Sequence, residues 1–188
     1  MTITVGVLAL QGAYQKHVDS LSRLGVESRL IRKPAELEKC SALILPGGES
    51  TSISLLMQEY GFYQAIKSFA ETHPVLGVCA GLILMADEVD DTGVTPLGLI
   101  GCKAIRNFYG RQLHSFVAEV TLDFDHRPFQ AQFIRAPGIE KLSPGVEVLA
   151  RHNDKAVMIG AGEHIALAFH PELSDDTRIH SYWLGNIT

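Results

Sequence analysis

Residues 73–87, HPVLGVCAGLILMAD, join a short apolar run, a cysteine and a second apolar run. Residues 74–78 have the composition of a buried strand, whereas residues 80–86 are rich in Ala, Leu and Met, which favour a helix. Cys79 stands between the two runs, with a glycine two residues away on each side. This is the spacing of a nucleophile elbow with Cys in place of Ser, so it predicts a strand, a sharp turn and a helix.

The predicted elbow has consequences for chemistry at the sulfur. The turn strains the backbone of the nucleophile, and Gly77 and Gly81 leave the room that such a turn needs. The helix directs its first N–H groups and its positive dipole end at the sulfur, which stabilises a thiolate. The N–H of Ala80 can donate to an oxyanion. The structural alternative is a buried cysteine between two glycines that only pack a helix.

The composition is typical of one globular domain and argues against several classes of protein. The chain has 188 residues, of which 46% are hydrophobic and 20% charged, and its net charge is −5. We therefore expect a single domain over residues 1–188 and no nucleic-acid partner. The longest apolar stretch, residues 74–86, has 13 residues. A membrane span needs about 20, so we expect no membrane contact.

The N-terminal segment and the cysteines favour a cytoplasmic protein. Residues 1–12 have neither the basic flank nor the small-residue cleavage site of a signal peptide. Cys40, Cys79 and Cys102 are odd in number and far apart, which argues against a disulfide framework and fits a reducing compartment. The spacings typical of metal sites do not occur, so no metal is expected.

Strands and helices alternate before the elbow. The predicted elements are a strand at 3–10, a helix at 14–24, a strand at 26–31, a short helix at 34–39, a strand at 41–45 and a helix at 52–70 interrupted at Gly61. A β-α-β-α-β order is typical of a parallel sheet with crossover helices.

The third predicted strand runs into a glycine-rich segment, residues 46–51, PGGEST. Adjacent glycines at the carboxyl end of a parallel strand expose N–H groups in the crevice where open α/β sheets bind ligands. Ser50 or Thr51 is expected to cap the helix that follows. A phosphate loop is a second interpretation, but its lysine is missing, and a plain Pro-Gly turn is a third. We expect this loop and the elbow to lie at the same edge of the sheet.

The second half of the chain reads as mostly β structure. Short strands are predicted at 97–105, 112–122, 129–134, 146–150, 156–159 and 165–169. A final helix is expected to open at residues 174–176 and to end near Gly185. The fold class is therefore α/β: three layers around a mostly parallel central sheet with a nucleophile elbow, and extra antiparallel strands in the second half.

A cysteine nucleophile needs a base, and His170 stands out among the eight histidines. The predicted strand 165–169 ends on it. In extended chain residues 170 and 172 project to the same side, so Glu172 can orient the imidazole while Pro171 stiffens the link. The alternative is a structural histidine beside a solvated glutamate. Together with the elbow, the pattern favours a triad of Cys79, His170 and Glu172.

The remaining histidines and cysteines are weaker candidates. We expect His17 to lie on a polar helix face and His180 on the last helix. Cys40 and Cys102 are expected to be buried and structural. Asp and His side chains at residues 123–126 are interpreted as a solvated turn and not as a metal site.

Three segments, in this order and spacing, resemble the class I, triad-type glutamine amidotransferases: PGGEST at 46–51, GVCAG at 77–81 and HPE at 170–172. Four others narrow the resemblance to the glutaminase subunit of pyridoxal 5′-phosphate synthase: LALQG at 8–12, RNFYGRQ at 106–112, FIRAP at 133–137 and FHPEL at 169–173. The resemblance covers nearly the whole chain.

The resemblance implies hydrolysis of L-glutamine to glutamate and ammonia. Cys79 would attack the side-chain amide and form a thioester, while His170, oriented by Glu172, would transfer protons. Backbone N–H groups of Gly48 and Ala80 would hold the oxyanion. The residues implied to contact glutamine are Gly47, Gly48, Glu49, Arg106, Ile134 and Arg135, which suit a zwitterionic amino acid because they offer charges of both signs and backbone groups.

The resemblance also implies a partner. In the family, ammonia passes to a separate synthase subunit of a hetero-oligomeric complex, which builds pyridoxal 5′-phosphate from a pentose phosphate and a triose phosphate. The glutaminase is poorly active until docking rearranges its oxyanion loop. We expect the docking surface to comprise the segment around Gln11 and Gly12 and the loops at the carboxyl edge of the sheet. Pyridoxal 5′-phosphate would be the partner's product, so no cofactor is expected in this chain.

Two departures and three rival interpretations accompany the resemblance. Val78 and Phe108 stand where many members have Thr and a small residue, and Phe108 puts substrate fit or docking in question. The rivals are a glutaminase for another synthase, a cysteine peptidase or deglycase-like hydrolase, and a non-catalytic subunit. Residues 106–112 and the short N-terminal lead argue against the first, the His-Pro-Glu ending argues against the second, and the intact triad argues against the third.

Overall fold

A computed structural model describes residues 3–108, 115–185 and 187. Its strands are β1 (Thr4–Leu8), β2 (Glu27–Ile31), β3 (Ala42–Leu45), β4 (Val75–Val78), β5 (Ala86–Val89), β6 (Ile100–Ile105), β7 (Ser115–Leu122), β8 (Asp125–Ile134), β9 (Gly138–Glu140), β10 (Glu147–His152), β11 (Lys155–Ala161) and β12 (His164–Leu167). The α-helices are α1 (Tyr14–Arg23), α2 (Ser50–Glu59), α3 (Phe62–Ala70), α4 (Ala80–Met85) and α5 (Arg178–Gly185), and 3₁₀ helices cover Pro34–Lys39 and Pro171–Leu173.

The described strands form one large sheet and one small one. The large sheet has the order β2-β1-β3-β4-β12-β11-β10-β7-β8. Neighbours from β2 to β12 pair in parallel, and the remaining pairs, from β12 to β8, are antiparallel. The small sheet has the order β5-β6-β9. The predicted α/β fold, with a mostly parallel centre and antiparallel strands added by the second half, is confirmed.

Two buried clusters cover the two faces of the large sheet. Leu43 and Leu45 of β3 belong to one cluster and Ile44 to the other, because alternate residues of a strand point to opposite faces. The first cluster takes in buried side chains of α2, α3 and α4, and the second those of α1 and α5. All residues of β3 and β4 are buried, which explains their continuous apolar sequences.

The helix boundaries differ from the prediction in two places. The break at Gly61 is confirmed, and its φ of 74° lies in the left-handed region that favours glycine. The expected cap of α2 at Ser50 or Thr51 is wrong. Glu49 caps the helix instead, because its carboxylate accepts from the N–H groups of Thr51 and Ser52. The last helix begins at Arg178 and not at 174–176, since that segment forms side-chain-stabilised turns before it.

The strand predictions miss two short elements and one boundary. β5 and β9 were not expected, since the first follows α4 without a break and carries the acidic residues Asp87 and Glu88, and the second has only three residues. Residues 125–126 belong to β8 and not to a solvated turn, and Asp125 forms ion pairs with Arg127 and Arg178.

Residues 109–112 of the predicted family segment, and residues 112–114 of the predicted strand, lie outside the described residues. That residues 1–188 form one domain stays a prediction.

None of the helices in the described ranges combines the length and the hydropathy needed to cross a membrane.

The junction of β4 and α4 depends on two glycines. A Cβ added to Gly77 would lie 2.7 Å from the carbonyl oxygen of Gly81. A Cβ added to Gly81 would overlap the carbonyl oxygen of Leu45 in β3. The atoms around Gly77 are the Met85 sulfur and the backbone of Gly81, both in α4, whereas those around Gly81 belong to Leu45 in β3. A side chain at Gly77 would therefore displace α4, and one at Gly81 would displace the buried strand β3. The bracketing glycines of the elbow are therefore required by packing.

We expect the substitution Gly81→Ala to lower the free energy of unfolding by about 1–3 kcal/mol, because it forces a methyl group into the backbone of β3. The melting temperature should fall by about 5 °C, measured by thermal denaturation. Gly185→Ala in α5 is the matched control, since its Cβ would meet no described heavy atom within 4 Å beyond its own helix and chain neighbours. Equal melting temperatures for the two variants would contradict this account.

Candidate active site

Cys79 occupies the turn between β4 and α4, as the glycine spacing predicts. Its φ of 51° and ψ of −97° are strained for a residue with a side chain. Its N–H donates to the Leu167 carbonyl of β12 at 2.8 Å, which fastens the turn to the neighbouring strand. The sulfur lies 3.8 Å from the Ile134 carbonyl oxygen at the end of β8. The elbow thus places the sulfur where the ends of three strands meet.

His170 and Glu172 lie beyond the end of β12, and their side chains are paired. The Nδ1 atom of His170 is 2.7 Å from Oε1 of Glu172. The expected pairing is present, but the expected reason is wrong. The residues after His170 form a 3₁₀ turn, opened by Pro171, and not an extended strand. The N–H of His170 donates to the Gln132 carbonyl at 2.8 Å, which fixes the start of this turn to β8.

The charges of the pair are set by burial and by hydrogen bonding. Burial alone would lower the pKa of His170, but hydrogen bonds to Cys79 and Glu172 outweigh it and raise the pKa to about 10. Burial alone would raise the pKa of Glu172, but the hydrogen bond to His170 and the charge of His170 oppose burial, and that pKa lies below its ordinary value. At neutral pH the pair is therefore an imidazolium and a carboxylate, and the cation lies against the sulfur of Cys79.

The Gly47-Gly48 loop borders the imidazole, as expected for loops at the same edge of the sheet. A Cβ added to Gly47 would lie 2.5 Å from Cε1 of His170, so the loop backbone touches the ring. Two hydrogen bonds connect the loop to residues 11–13, near the N-terminus of the chain. The Gly47 carbonyl accepts from the N–H of Ala13 at 2.8 Å, and the side chain of Gln11 accepts from the N–H of Glu49 at 2.9 Å.

Glu49 and Arg106 form the charged side of the site. The Arg106 guanidinium lies 3.1 Å from Oε1 of Glu49 and 3.1 Å from the hydroxyl of Thr51, and it also forms an ion pair with Asp91. Burial would raise the pKa of Glu49, but hydrogen bonds from Ser52 and Thr51 and the charge of Arg106 lower it. Glu49 and Arg106, two of the residues that the resemblance assigns to glutamine binding, therefore form an ion pair at the site.

One pocket of about 290 Å³ connects these groups. It is lined by all the residues that the sequence analysis assigns to the site except Glu172, which lies behind His170. Ile134 and Arg135 enter it from the end of β8, where Arg135 has a positive φ of 44°. Gln11 and Asn107 also line the pocket and were not predicted to do so. The pocket is at the small end of the usual range for small-molecule sites.

The two departures from the family pattern lie outside the pocket lining. Val78 is buried in β4 within the core cluster of α1 and α5. Phe108 packs against Gly138, and the ammonium of Lys155 lies 4.3 Å from the centre of its ring. Phe108 therefore does not occupy the pocket, although it directly follows Asn107, which lines it.

Two histidines that the sequence did not predict at the site lie behind Glu172. His17, expected on a polar helix face, is fully buried, and its Nε2 atom lies 3.8 Å from Oε2 of Glu172. Its Nδ1 atom is 3.1 Å from Nε2 of His180, which is also fully buried. The signal was present, because His17 follows Tyr14 by three residues and precedes Leu21 by four, and so lies on the apolar face of α1.

The other cysteines are buried, as expected, and they are not disulfide-bonded. Burial raises the pKa of Cys40, and it raises that of Cys102 to about 12. Within the described ranges, no three His, Cys, Asp or Glu side chains are grouped as a metal site would require.

The fold is that of a glutamine amidotransferase. A crystal structure of a glutamine amidotransferase superposes with a TM-score of 0.93, at 41% identity over 97% of this chain and 98% of that one. The chain belongs to the SNO glutamine amidotransferase family, whose sequence model matches residues 7–188. The family membership expected from the motifs is thereby confirmed.

Two curated relatives are similar over nearly their whole length. A pyridoxal 5′-phosphate synthase subunit PdxT from Oenococcus oeni is 44% identical over 184 residues, which cover 98% of this chain and 96% of the relative. A protein of the same name from Pelotomaculum thermopropionicum is 47% identical over 182 residues, which cover 96% and 93%.

We expect an alkylating reagent such as iodoacetamide to modify Cys79 at least about tenfold faster than Cys40 or Cys102 at pH 7.5. Cys79 lines the pocket beside an imidazolium, whereas burial keeps the other two as thiols. Peptide mass spectrometry over a time course gives the three rates. In the control, His170→Gln should slow the labelling of Cys79 alone. Comparable rates at all three cysteines would contradict the assignment of Cys79 as the reactive thiol.

Proposed function

We propose that this chain is a glutaminase, which hydrolyses L-glutamine to glutamate and ammonia and delivers the ammonia to a pyridoxal 5′-phosphate synthase subunit. The observation that carries the proposal is the position of Cys79 in a strained elbow beside His170, whose Nδ1 atom is 2.7 Å from Glu172. The names of the curated relatives support the synthase as the partner.

Catalysis begins at the sulfur. The Cys79 thiolate attacks the carbon of the side-chain amide of glutamine, and the carbonyl oxygen becomes an oxyanion. The N–H groups of Gly48 and Ala80, which both belong to residues of the pocket, hold that oxyanion. Because the glycine loop touches the imidazole of His170, the position of the loop sets the distance between the base and the oxyanion site.

His170 carries the protons through both halves of the reaction. Its imidazolium gives a proton to the departing nitrogen, so that ammonia leaves and the thioester forms. The neutral imidazole then takes a proton from water, whose oxygen attacks the thioester and releases glutamate. Glu172 keeps Nδ1 protonated and directed toward itself, which turns Nε2 toward the sulfur and the pocket.

The charged side of the pocket suits the amino-acid end of glutamine. The Glu49 carboxylate attracts the α-ammonium group, and the Arg106 and Arg135 guanidinium groups attract the α-carboxylate. The Ile134 carbonyl, 3.8 Å from the sulfur, is an acceptor for the amide NH₂ group. Gly47 and Gly48 leave room for the substrate because they have no side chain.

The synthase partner is proposed to dock around Gln11 and Gly12 in a hetero-oligomeric complex. Gln11 accepts from Glu49, and Ala13 donates to Gly47, so displacement of this segment would move the oxyanion loop. This connection supports activation on docking, which avoids wasteful hydrolysis of glutamine. The product of the partner, pyridoxal 5′-phosphate, has no role in these steps, and the proposed mechanism uses no cofactor. The unpaired cysteines support a cytoplasmic location.

Glutamate release should rise strongly when a pyridoxal 5′-phosphate synthase subunit is added, and it should vanish in Cys79→Ala under both conditions. Cys40→Ala is the matched control and should retain activity, since Cys40 lies in the core away from the pocket. An enzyme-coupled glutamate assay gives both rates. Glutamate release that does not change when the synthase is added would support the catalytic triad but contradict the assignment of the synthase as the partner. No glutamate under either condition would favour the non-catalytic or hydrolase alternatives.

In the assembled complex, Glu172→Gln should lower kcat by about 10²–10⁴-fold, because the imidazole loses its charged orienting partner. It should also shift the alkaline limb of the profile of kcat/KM against pH. The contact with Glu172 helps to raise the pKa of His170 to about 10, so the imidazolium is present below that pH and lost above it. Without the carboxylate this pKa falls, and the limb moves to lower pH. An unmoved limb would argue against His170 as the acid.

A further inference from the structure

Behind Glu172, on the side away from the pocket, lie two histidines that the proposed mechanism does not use. His17 of α1 and His180 of α5 are both fully buried. Their rings meet through Nδ1 of His17 and Nε2 of His180, 3.1 Å apart. Nε2 of His17 lies 3.8 Å from Oε2 of Glu172, the oxygen that does not bond to His170. Four ionisable side chains thus form one row from the pocket into the core.

Only one placement of the protons on the two neutral histidines keeps the hydrogen bond between their rings and avoids directing a lone pair at the Glu172 carboxylate. If Nε2 of both histidines carries the proton, His180 donates to His17 and the N–H of His17 points at the Glu172 carboxylate. Among the described residues, Nε2 of His17, Oε2 of Glu172 and Nδ1 of His180 all lack a hydrogen-bond partner. In this arrangement the N–H of His17 faces the acceptor Oε2 of Glu172 at 3.8 Å, and Nδ1 of His180 is an acceptor. The reverse arrangement would direct a lone pair of His17 at the carboxylate and leave a buried N–H of His180 without an acceptor, which is rare in proteins.

The charges around the pair favour neutral rings. Burial lowers the pKa of His17, against the attraction of Glu172, and the nearby His170 lowers it further. Burial lowers the pKa of His180 to about 3, and His17 and Arg23 contribute to this while Glu172 opposes it. Both rings are therefore neutral at pH 7. They act on Glu172 as oriented dipoles, and the negative charge of the carboxylate remains available to His170.

We propose that His17 and His180 are positioning residues, which hold the second carboxylate oxygen of Glu172 and so fix the orientation of His170. The proposal rests on the proposed glutaminase function. A carboxylate held through one oxygen can rotate about the bond to its carboxyl carbon, whereas a donor at the other oxygen restricts that rotation. The separation of 3.8 Å is electrostatic contact, and a hydrogen bond requires a closer approach. Such contacts commonly tighten when a substrate binds.

Two substitutions at His17 distinguish a role as hydrogen-bond donor to Glu172 from a role in core packing alone. The amide nitrogen of Gln reaches the place of the imidazole Nε2, so His17→Gln keeps a donor toward the carboxylate. The shorter Asn places its amide near Nδ1, so His17→Asn keeps polarity toward His180 and loses that donor. We expect His17→Asn to lower kcat about tenfold with KM for glutamine changed less than about twofold. His17→Gln should recover most of the loss.

The pH profile of the complex gives a readout that a purely structural role would not move. The N–H of His17 stabilises the ionised form of Glu172, so its loss raises the pKa of that carboxyl. The acid limb of the profile of kcat/KM should then move to higher pH in His17→Asn and stay in place in His17→Gln. Equal kcat values and equal acid limbs in the two variants would overturn the proposal. Melting temperatures of both variants exclude unfolding as the cause.

A measurement on the wild-type protein keeps the proposal testable if both variants fail to fold. NMR of ¹⁵N-histidine-labelled protein at pH 7 should show His17 and His180 as neutral rings protonated on Nε2. In Glu172→Gln the Nε2 proton signal of His17 should shift. Protonation of His17 on Nδ1 would overturn the proposal. If the wild-type complex released no glutamate, the proposed function would fall, and the spectrum would still decide whether His17 donates to Glu172.

Discussion

The buried pair of His170 and Glu172 is the interaction on which the site depends. Glu172 is 2% exposed, and an ionised carboxylate so deep in a protein is costly unless other groups compensate for the lost water. The compensation comes from His170 on one side and from the dipoles of His17 and His180 on the other. Helices from both ends of the chain therefore pack around a single charge.

The sheet topology brings this pair to the sulfur. β12 returns from the second half of the chain to pair in parallel with β4. Neighbouring parallel strands lie about 4.8 Å apart, so the residues that follow their carboxyl ends are close in space. Cys79 directly follows β4, and His170 follows β12 after two residues. The long antiparallel excursion between these strands also supplies Ile134 and Arg135 at the end of β8.

Local rules explain what the sequence predicts well, and long-range packing explains what it does not. The elbow, the break at Gly61 and the alternation of strands and helices depend on neighbours in the sequence, and they agree with the structure. The cap at Glu49 was not predicted because its carboxylate also forms an ion pair with Arg106, which is far away in sequence. The burial of His17 depends on α5 and on the turn after His170, which only the folded chain brings together.

Glu49 contacts both the charged wall of the pocket and the segment that holds the oxyanion loop. Its N–H is held by Gln11, and its carboxylate caps α2 while pairing with Arg106. A displacement of the segment around Gln11 therefore acts on the same residue that sets the position of the Arg106 guanidinium. Because the loop backbone also touches the imidazole of His170, the loop cannot move without changing the spacing of base, oxyanion site and charged pocket wall together. A partner that acts on this one segment can thus govern both binding and chemistry.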